Sequence, residues 1–285
     1  VLFVENRASD HIWGCMLGDR PGFDGIPSKS RAATDKVSGC GTATLVCKGK
    51  GYASTKFSAR QLPVKAAIAE NYGVHNRMFT SVPGPSWPNH NFAQSATSCG
   101  TSSNVMYNRC GGRYPQFPQM TIYDSLALAG VPFGIYVNMT CGPNDPKKHS
   151  AESCSQVHPG WGYFDGNNSN GLDPDVTMAG VARHADHFFS HDLFYKQAAD
   201  GTLPAFSWIS PPHEAADHPC MDLAKGERLL KDIYEALRAG KGWSKTLFLV
   251  TYDDYGGFDD QIPYPDAVPD HSPCLVWNKL HNVSI

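Results

Sequence analysis

The chain has 285 residues, 41% hydrophobic and 18% charged, with a formal net charge of −3. That length suffices for one large domain with its own core. The near-neutral charge excludes a basic footprint for nucleic acid or for an anionic membrane surface, and no apolar run is long enough to span a bilayer.

Taken in chain order, Val1–Val4 (VLFV) is a short apolar run that predicts a buried strand. Because the chain opens inside a strand pattern, Val1 is read as lying downstream of the native start and of any targeting segment. Gly14–Ser58 is rich in Gly, Ser, Thr and Cys and reads as loop. Leu62–Tyr72 has helical spacing, and Asn91–Thr97 opens a helix after a Pro-Asn turn. Thr121–Ala129 predicts a helix capped by Thr121 and stopped by Gly130. Phe133–Val137 predicts a strand, and Cys141–Asp175 an irregular surface loop. Val181–Ala199 is helical in character, and Ala205–Ile209 is a strand. Asp222–Ala239 is a helix with Leu229, Ile233 and Leu237 at i, i+4 and i+8 and a stop at Gly240. Leu247–Thr251 (LFLVT) closes the series as a strand. Strands alternating with helices imply a single α/β domain built on a largely parallel sheet.

Nine cysteines without a CxxC spacing read as disulfides with one left over. Cys40/Cys47, Cys99/Cys110 and Cys141/Cys154 are the local pairings the spacing suggests. Glycosylation sequons stand at Asn138, Asn167 and Asn282. Cysteines and sequons together point to a secreted or secretory-pathway protein.

Two acidic clusters directly follow apolar strands: Glu5-Asn6 after VLFV, and Asp253-Asp254 after TLFLVTY. In open α/β sheets ligands bind at the carboxyl ends of strands. Carboxylates buried there need a cation, and oxygen donors suit Ca²⁺, Mg²⁺ or Mn²⁺ better than Zn²⁺. Each cluster read alone is equally a helix cap or a surface acid. In PGPSWPNHNF, Pro85 and Pro88 bracket Ser86, and Asn89 adds a side-chain turn hydrogen bond. A hydroxyl held before a helix N-terminus is placed to attack phosphorus, with helix N–H groups for the phosphate oxygens. On the residues alone the segment is also an ordinary proline-rich turn. His218, in AADHP, is placed to protonate a leaving group or grip a phosphate oxygen. His184, His187 and His191 have the spacing of one helix face.

These pieces fall in a familiar order. VENRASDHIWG resembles the ENRSFDH opening of the phosphoesterase family that holds bacterial phospholipases C, plant non-specific phospholipases C and an acid phosphatase branch. SWPNHNFAQSATS resembles that family's nucleophile segment, a Thr or Ser followed by any residue and Pro-Asn-Arg or Pro-Asn-His. GTLPAFSWI, DHP and KGERLLKDIYEALRAGKGWSKTLFLVTYDDYGGFDD resemble its C-terminal half, most of all in the plant enzymes. The resemblance implies an alkaline-phosphatase-like α/β/α sandwich. It makes Ser86 the nucleophile and a metal ligand beside Glu5, Asn6, Asp253 and Asp254. It gives His218, with Asn89, to the substrate phosphate and aligns His187 with a further family histidine. The implied reaction is phosphate-ester hydrolysis through a phosphoserine, phospholipase C-like and acting on phospholipid at a membrane surface. The alternatives are a phosphatase or phosphodiesterase of soluble esters and an inactive structural or binding protein with this fold. The chain departs from the family at Asp260-Gln261, where Asp-His is usual, and is short near residues 48–60 and after 285.

Overall fold

The computed structural model describes residues 1–25, 40–46, 52–104, 117–137, 178–260 and 262–266. Five strands are present among them: β1 (Leu2–Val4), β2 (Phe133–Val137), β3 (Phe188–Ser190), β4 (Phe206–Ile209) and β5 (Val250–Tyr252). They form one sheet in the order β3-β2-β4-β1-β5, every pair parallel. The helices are α1 (Ser9–Ile12), α2 (Pro63–Asn71), α3 (Ser86–Ser95), α4 (Ile122–Leu128), α5 (Ala179–Ala182), α6 (His191–Asp200) and α7 (Leu223–Ala239).

Alternation along the strands explains the layers, since successive side chains point to opposite faces. Phe3, Phe133, Ile135, Val137 and Trp208 face one side, where they pack with Tyr123 of α4, Val181 of α5 and Trp87 of α3. Leu2, Val4, Tyr136 and Ile209 face the other, against Phe194 of α6 and Leu230, Ile233 and Leu237 of α7. This is the α/β/α sandwich with a parallel sheet that the sequence predicts. Each such fully buried aliphatic side chain contributes roughly 1.5–3 kcal/mol relative to exposure. Among the described residues no helix is long and apolar enough to cross a membrane.

The helix ends follow the sequence closely. Thr121 and Asp124 form a reciprocal capping box on α4, and Gly130 beyond it sits at φ 66°. Asp222 caps α7 through Ala224 N at 3.0 Å.

Four expectations are corrected. Helix α3 begins at Ser86 rather than near Asn91, because Pro88 lies in its first turn, where a missing N–H costs nothing. Residues 181–199 are not one helix. Phe188 and Phe189 are drawn into register with Ile135 and Tyr136 of β2, and Ser190 then starts a new helix by accepting from Leu193 N at 3.2 Å. His184 and His187 therefore stay together, their rings 5.8 Å apart, while His191 starts a separate helix. The strand expected at 247–251 is shorter and later, since Leu247 is 79% exposed beside the sheet edge. Finally, Cys40 pairs with Cys15, not with Cys47. Cys99 and Cys220 are also disulfide-bonded. The Cys99/Cys110 and Cys141/Cys154 pairings involve cysteines outside the described residues.

A buried ionic cluster joins α2 to α7. Lys65 Nζ lies 3.1 Å from both Asp217 Oδ2 and Glu227 Oε1. Glu227 also accepts the Val64 and Lys65 backbone N–H groups at 2.7 and 3.2 Å, which serves the first turn of α2. Burial works against the Lys65 charge, but Asp217 and Glu227 outweigh it and hold its pKa above the ordinary lysine value. Asp217 presses on α7 so closely that a Cβ at Gly226 would meet its Oδ1 at 1.8 Å. In an ordinary helix interior Gly→Ala gains about 1 kcal/mol. Here Gly226→Ala lowers stability by about 1–3 kcal/mol in denaturant unfolding, because overpacking outweighs propensity. An increase in stability would show that Asp217 is not held against the helix.

Candidate active site at the ends of β1 and β5

Parallel pairing of β1 with β5, with Val4 opposite Tyr252, sends Glu5-Asn6 and Asp253-Asp254 out of the sheet side by side. The ladder continues one step further through Asp253 N to Val4 O at 3.0 Å. Asn6 then turns at φ 57°, a conformation Asn tolerates better than most residues, and its N–H donates to Asp253 Oδ1 at 2.8 Å. Glu5 N donates to Ala216 O at 2.7 Å, which ties the 213–219 loop to the same strand ends.

Ser86 arrives from the other direction as the first residue of α3, after an extended Pro85. Asn89, 4% exposed, fixes this entry: its Oδ1 accepts from Val82 N at 2.9 Å, and its Nδ2 donates to Val82 O at 3.1 Å, Pro85 O at 3.1 Å and Gly84 O at 3.4 Å. Ser86 Oγ then sits 3.1 Å from Asn6 Oδ1 and 3.3 Å from both Glu5 Oε2 and Asp254 Oδ2. Ser86, Glu5, Asn6, Asp253 and Asp254 thus converge on one cage of oxygens.

One residue of the cage escaped the sequence reading. His90 lies one turn beyond Ser86 on α3, and its Nε2 is 3.2 Å from Glu5 Oε1 and 3.6 Å from Asp253 Oδ2. Its ring is packed edge-on against Phe3 at 4.8 Å. The signal was available, since i and i+4 share a helix face.

The electrostatics follow from crowding acids where water is scarce. Burial, then the neighbouring Asp253 charge, pushes the Asp254 carboxyl up to about 7. Asp253 is buried too, but hydrogen bonding and charge from His90, with the Asn6 N–H, outweigh burial and hold it below the ordinary carboxylate value. As placed, the Asn6 side-chain oxygen faces only acceptors; reversing the amide would let its nitrogen donate to Glu5 Oε2 at 2.7 Å. With an ion in the cage, the amide oxygen could turn to it instead. Three carboxylates, an amide oxygen, a hydroxyl and an imidazole suit a divalent ion. Glu5, His90 and Asp253 alone bring three donor atoms within 4.8 Å of one another. An imidazole among the oxygens suits a transition-metal ion better than Ca²⁺.

The other expected site residues lie outside the cage itself. His187 stacks on Phe133 at 4.0 Å and bonds its carbonyl at 3.1 Å. Phe133 begins β2, so His187 lies at the amino ends of the parallel strands, away from the cage. His218 lies in the loop tied to Glu5, with its Nδ1 on Pro219 O and its ring 6.0 Å from His213. Asn89 is engaged by the 82–85 loop through both ends of its amide. The anion-binding helix end is also weaker than expected, because Trp87 N donates to Asn104 Oδ1 at 3.0 Å and Pro88 has no N–H. Asn138, Asn167, Asn282 and Gln261 fall outside the described residues.

A second layer backs the cage. Arg7 Nε donates to Asp217 O at 2.7 Å, and its guanidinium lies 4.9 Å over the Phe258 ring. His11 stacks on Phe258 at 3.7 Å, with Nδ1 2.6 Å from Thr55 O and Nε2 3.1 Å from Arg7 Nη1. A carbonyl can only accept and a guanidinium can only donate, so His11 is the neutral tautomer protonated at Nδ1. Burial, then the Arg7 charge, lowers its pKa to about 3.

Comparison with known proteins gives the family of the chain. The Phosphoesterase family matches residues 45–273, a span that holds Ser86, His90, His218, Asp253 and Asp254 and begins after Glu5 and Asn6. Non-specific phospholipase C1 of Arabidopsis thaliana is 29% identical over 93% of this chain and 53% of its own length. Non-specific phospholipase C5 of the same plant is 34% identical over 75% of this chain and 36% of its own. Phospholipase C B of Mycobacterium tuberculosis is 23% identical over 75% and 39%. The chain spans about half or less of the length of these relatives.

The His11 and Asp254 shifts act on stability with opposite signs. Unfolded His11 takes a proton near its ordinary pKa of 6.5, whereas folded His11 does so only near 3. Its contribution is therefore complete above pH 6.5 and is lost as pH falls toward 3. Asp254 is raised, so its contribution is present at low pH and lost as pH rises through about 7. Comparing metal-free wild type with His11→Gln isolates the first effect. The stability difference in guanidine unfolding shrinks by about 1.4 kcal/mol per pH unit below 6.5. A difference independent of pH would rule out a buried neutral His11.

Proposed function

The chain belongs to the phosphoesterase family, and from that membership we propose that it hydrolyses phosphate esters, with Ser86 as nucleophile in a divalent-metal cage. The carrying observation is the convergence of Glu5, Asn6 and Asp254 within 3.3 Å of Ser86 Oγ. Glu5, Asn6, Ser86, Asp253 and Asp254, with the His90 nitrogen, would hold the ion. When bound it supplies positive charge that favours the ionised hydroxyl and the charge developing on phosphoryl oxygens.

The protein's own groups account for the rest. The Ser86 hydroxyl proton has acceptors at Glu5 Oε2 and Asp254 Oδ2. Oγ attacks phosphorus in line, the P–O bond to the leaving alcohol breaks, and the phosphoryl group rests on Ser86. His218 supplies the leaving alcohol's proton. This role is supported by its loop, which is bonded to Glu5 through Ala216. Of the first three α3 residues, only Ser86 retains an N–H for a phosphate oxygen among the described residues. Water then cleaves the phosphoserine and frees phosphate or a phosphomonoester.

The surroundings favour a substrate with an apolar part. A cavity of about 960 Å³ adjoins the cage, with Asp253 and Asp254 among its walls and Ser86 outside them. Met78, Phe79, Leu247, Leu249 and Tyr264 line it. A phospholipid, as the names of the relatives suggest, fits such walls better than a small soluble ester. The Cys15–Cys40 bridge supports secretion.

Ser86→Ala brings turnover of p-nitrophenyl phosphate, its bis ester and phosphatidylcholine to background while leaving unfolding within about 0.5 kcal/mol of wild type. Retained activity would sink the nucleophile assignment. Chelation of divalent ions abolishes turnover of all three substrates, and Mn²⁺ restores it. Activity indifferent to chelation would remove the metal from the reaction. In the same assays phosphatidylcholine is turned over faster than p-nitrophenyl phosphate; the reverse order assigns the site to soluble monoesters.

A further inference from the structure

Asp217 precedes His218 in the DHP motif, and two of the three chain segments that build the cage meet on it. Its Oδ2 accepts from Tyr252 OH at 2.7 Å, and Tyr252 immediately precedes Asp253. Its carbonyl accepts from Arg7 Nε at 2.7 Å, and Arg7 immediately follows Asn6. The carbonyl of its neighbour, Ala216, accepts from Glu5 N at 2.7 Å. Asp217 itself stands at φ 69° and is 2% exposed. An aspartate held in that conformation and out of water needs a compensating charge, and Lys65 supplies it at 3.1 Å. The other Asp217 oxygen is buried without a hydrogen-bond partner among the described residues and abuts Gly226. That contact blocks retreat toward α7.

We propose that Asp217, anchored by Lys65, is the positioning residue of the cage: it fixes the spacing between Glu5-Asn6 and Asp253-Asp254 through Arg7 and Tyr252. This rests on the reading that the cage binds a divalent ion. Its acceptors then sit at ligand distance before the ion arrives, and the ion does not have to pull two strand ends together.

The test is calorimetric titration of Mn²⁺ into the full chain, with each variant held at a temperature where it is folded. Tyr252→Phe deletes only the hydroxyl that reaches Asp217, and Asp217→Asn keeps the shape but removes the charge paired with Lys65. Both weaken Mn²⁺ binding by about tenfold or more, the usual effect of losing a partner behind a metal ligand. Asp124→Asn breaks a half-buried pair with Arg183 on the opposite face of the sheet and leaves Mn²⁺ affinity at the wild-type value. If Tyr252→Phe and Asp217→Asn bind Mn²⁺ as wild type does, with only the melting temperature lowered, Asp217 is a stability residue and the proposal falls. The proposal also falls if Asp124→Asn weakens binding equally, since the loss is then general. If wild type binds no divalent ion, the metal reading falls and takes this inference with it.

Discussion

The parallel pairing of β1 with β5 is the constraint on which this molecule depends. It joins residues at the start of the chain to residues some 250 positions later and sets Val4 opposite Tyr252. That single register fixes where two acidic turns emerge. A slip of one residue would exchange the faces of Leu2, Phe3 and Val4 and separate Glu5 from Asp253. The apolar layers on both faces therefore serve the site directly. Phe3 packs on Trp208 at 4.7 Å on one side, and Leu2 and Val4 pack with α6 and α7 on the other. The core locks the register, and the register brings the acids together.

Crowding these acids is unfavourable by itself, and the fold offsets the cost in three places. His90 lies between Glu5 and Asp253, so an imidazole faces two carboxylates. Backbone N–H groups of Asn6 and Gly256 reach Asp253 and Asp254 at 2.8 and 2.7 Å. With its amide nitrogen toward the cage, Asn6 donates to Glu5 Oε2 at 2.7 Å and Asp253 Oδ1 at 3.1 Å. The raised Asp254 carboxyl shows what remains uncompensated by protein alone. A divalent ion would remove that residue of repulsion, which is why function and charge balance point the same way.

Much of this was legible in the sequence. The strand-then-acid pattern located Glu5, Asn6, Asp253 and Asp254, because parallel strands end where ligands bind. The bracketing prolines drew attention to Ser86. What could not be read locally depends on long-range packing. Lys65 looks like one more polar residue on a short helix until Asp217 and Glu227 close over it. His11 and Arg7 form part of a recognisable motif, but their stacking on Phe258 depends on residues at the far end of the chain. His187 was misplaced for the opposite reason. Its spacing fits a helix, while the sheet claimed Phe188 and Phe189 and carried the histidine to the wrong end. Similarly, LFLVT reads as a uniform apolar strand, yet Leu247 lies exposed, and the bonding to β1 starts at Leu249 O, which accepts from Leu2 N at 2.8 Å.

The contact between Asp217 and Gly226 has a consequence for how such sequences drift. A glycine inside a seventeen-residue helix looks like a flaw awaiting repair, and selection for helix strength alone would replace it. The carboxyl oxygen beside it forbids that repair for as long as the aspartate remains. The two positions form one unit of inheritance, able to change together but not singly. In homologous chains, a side chain at the place of Gly226 would mark those that have given up this way of holding the strand ends.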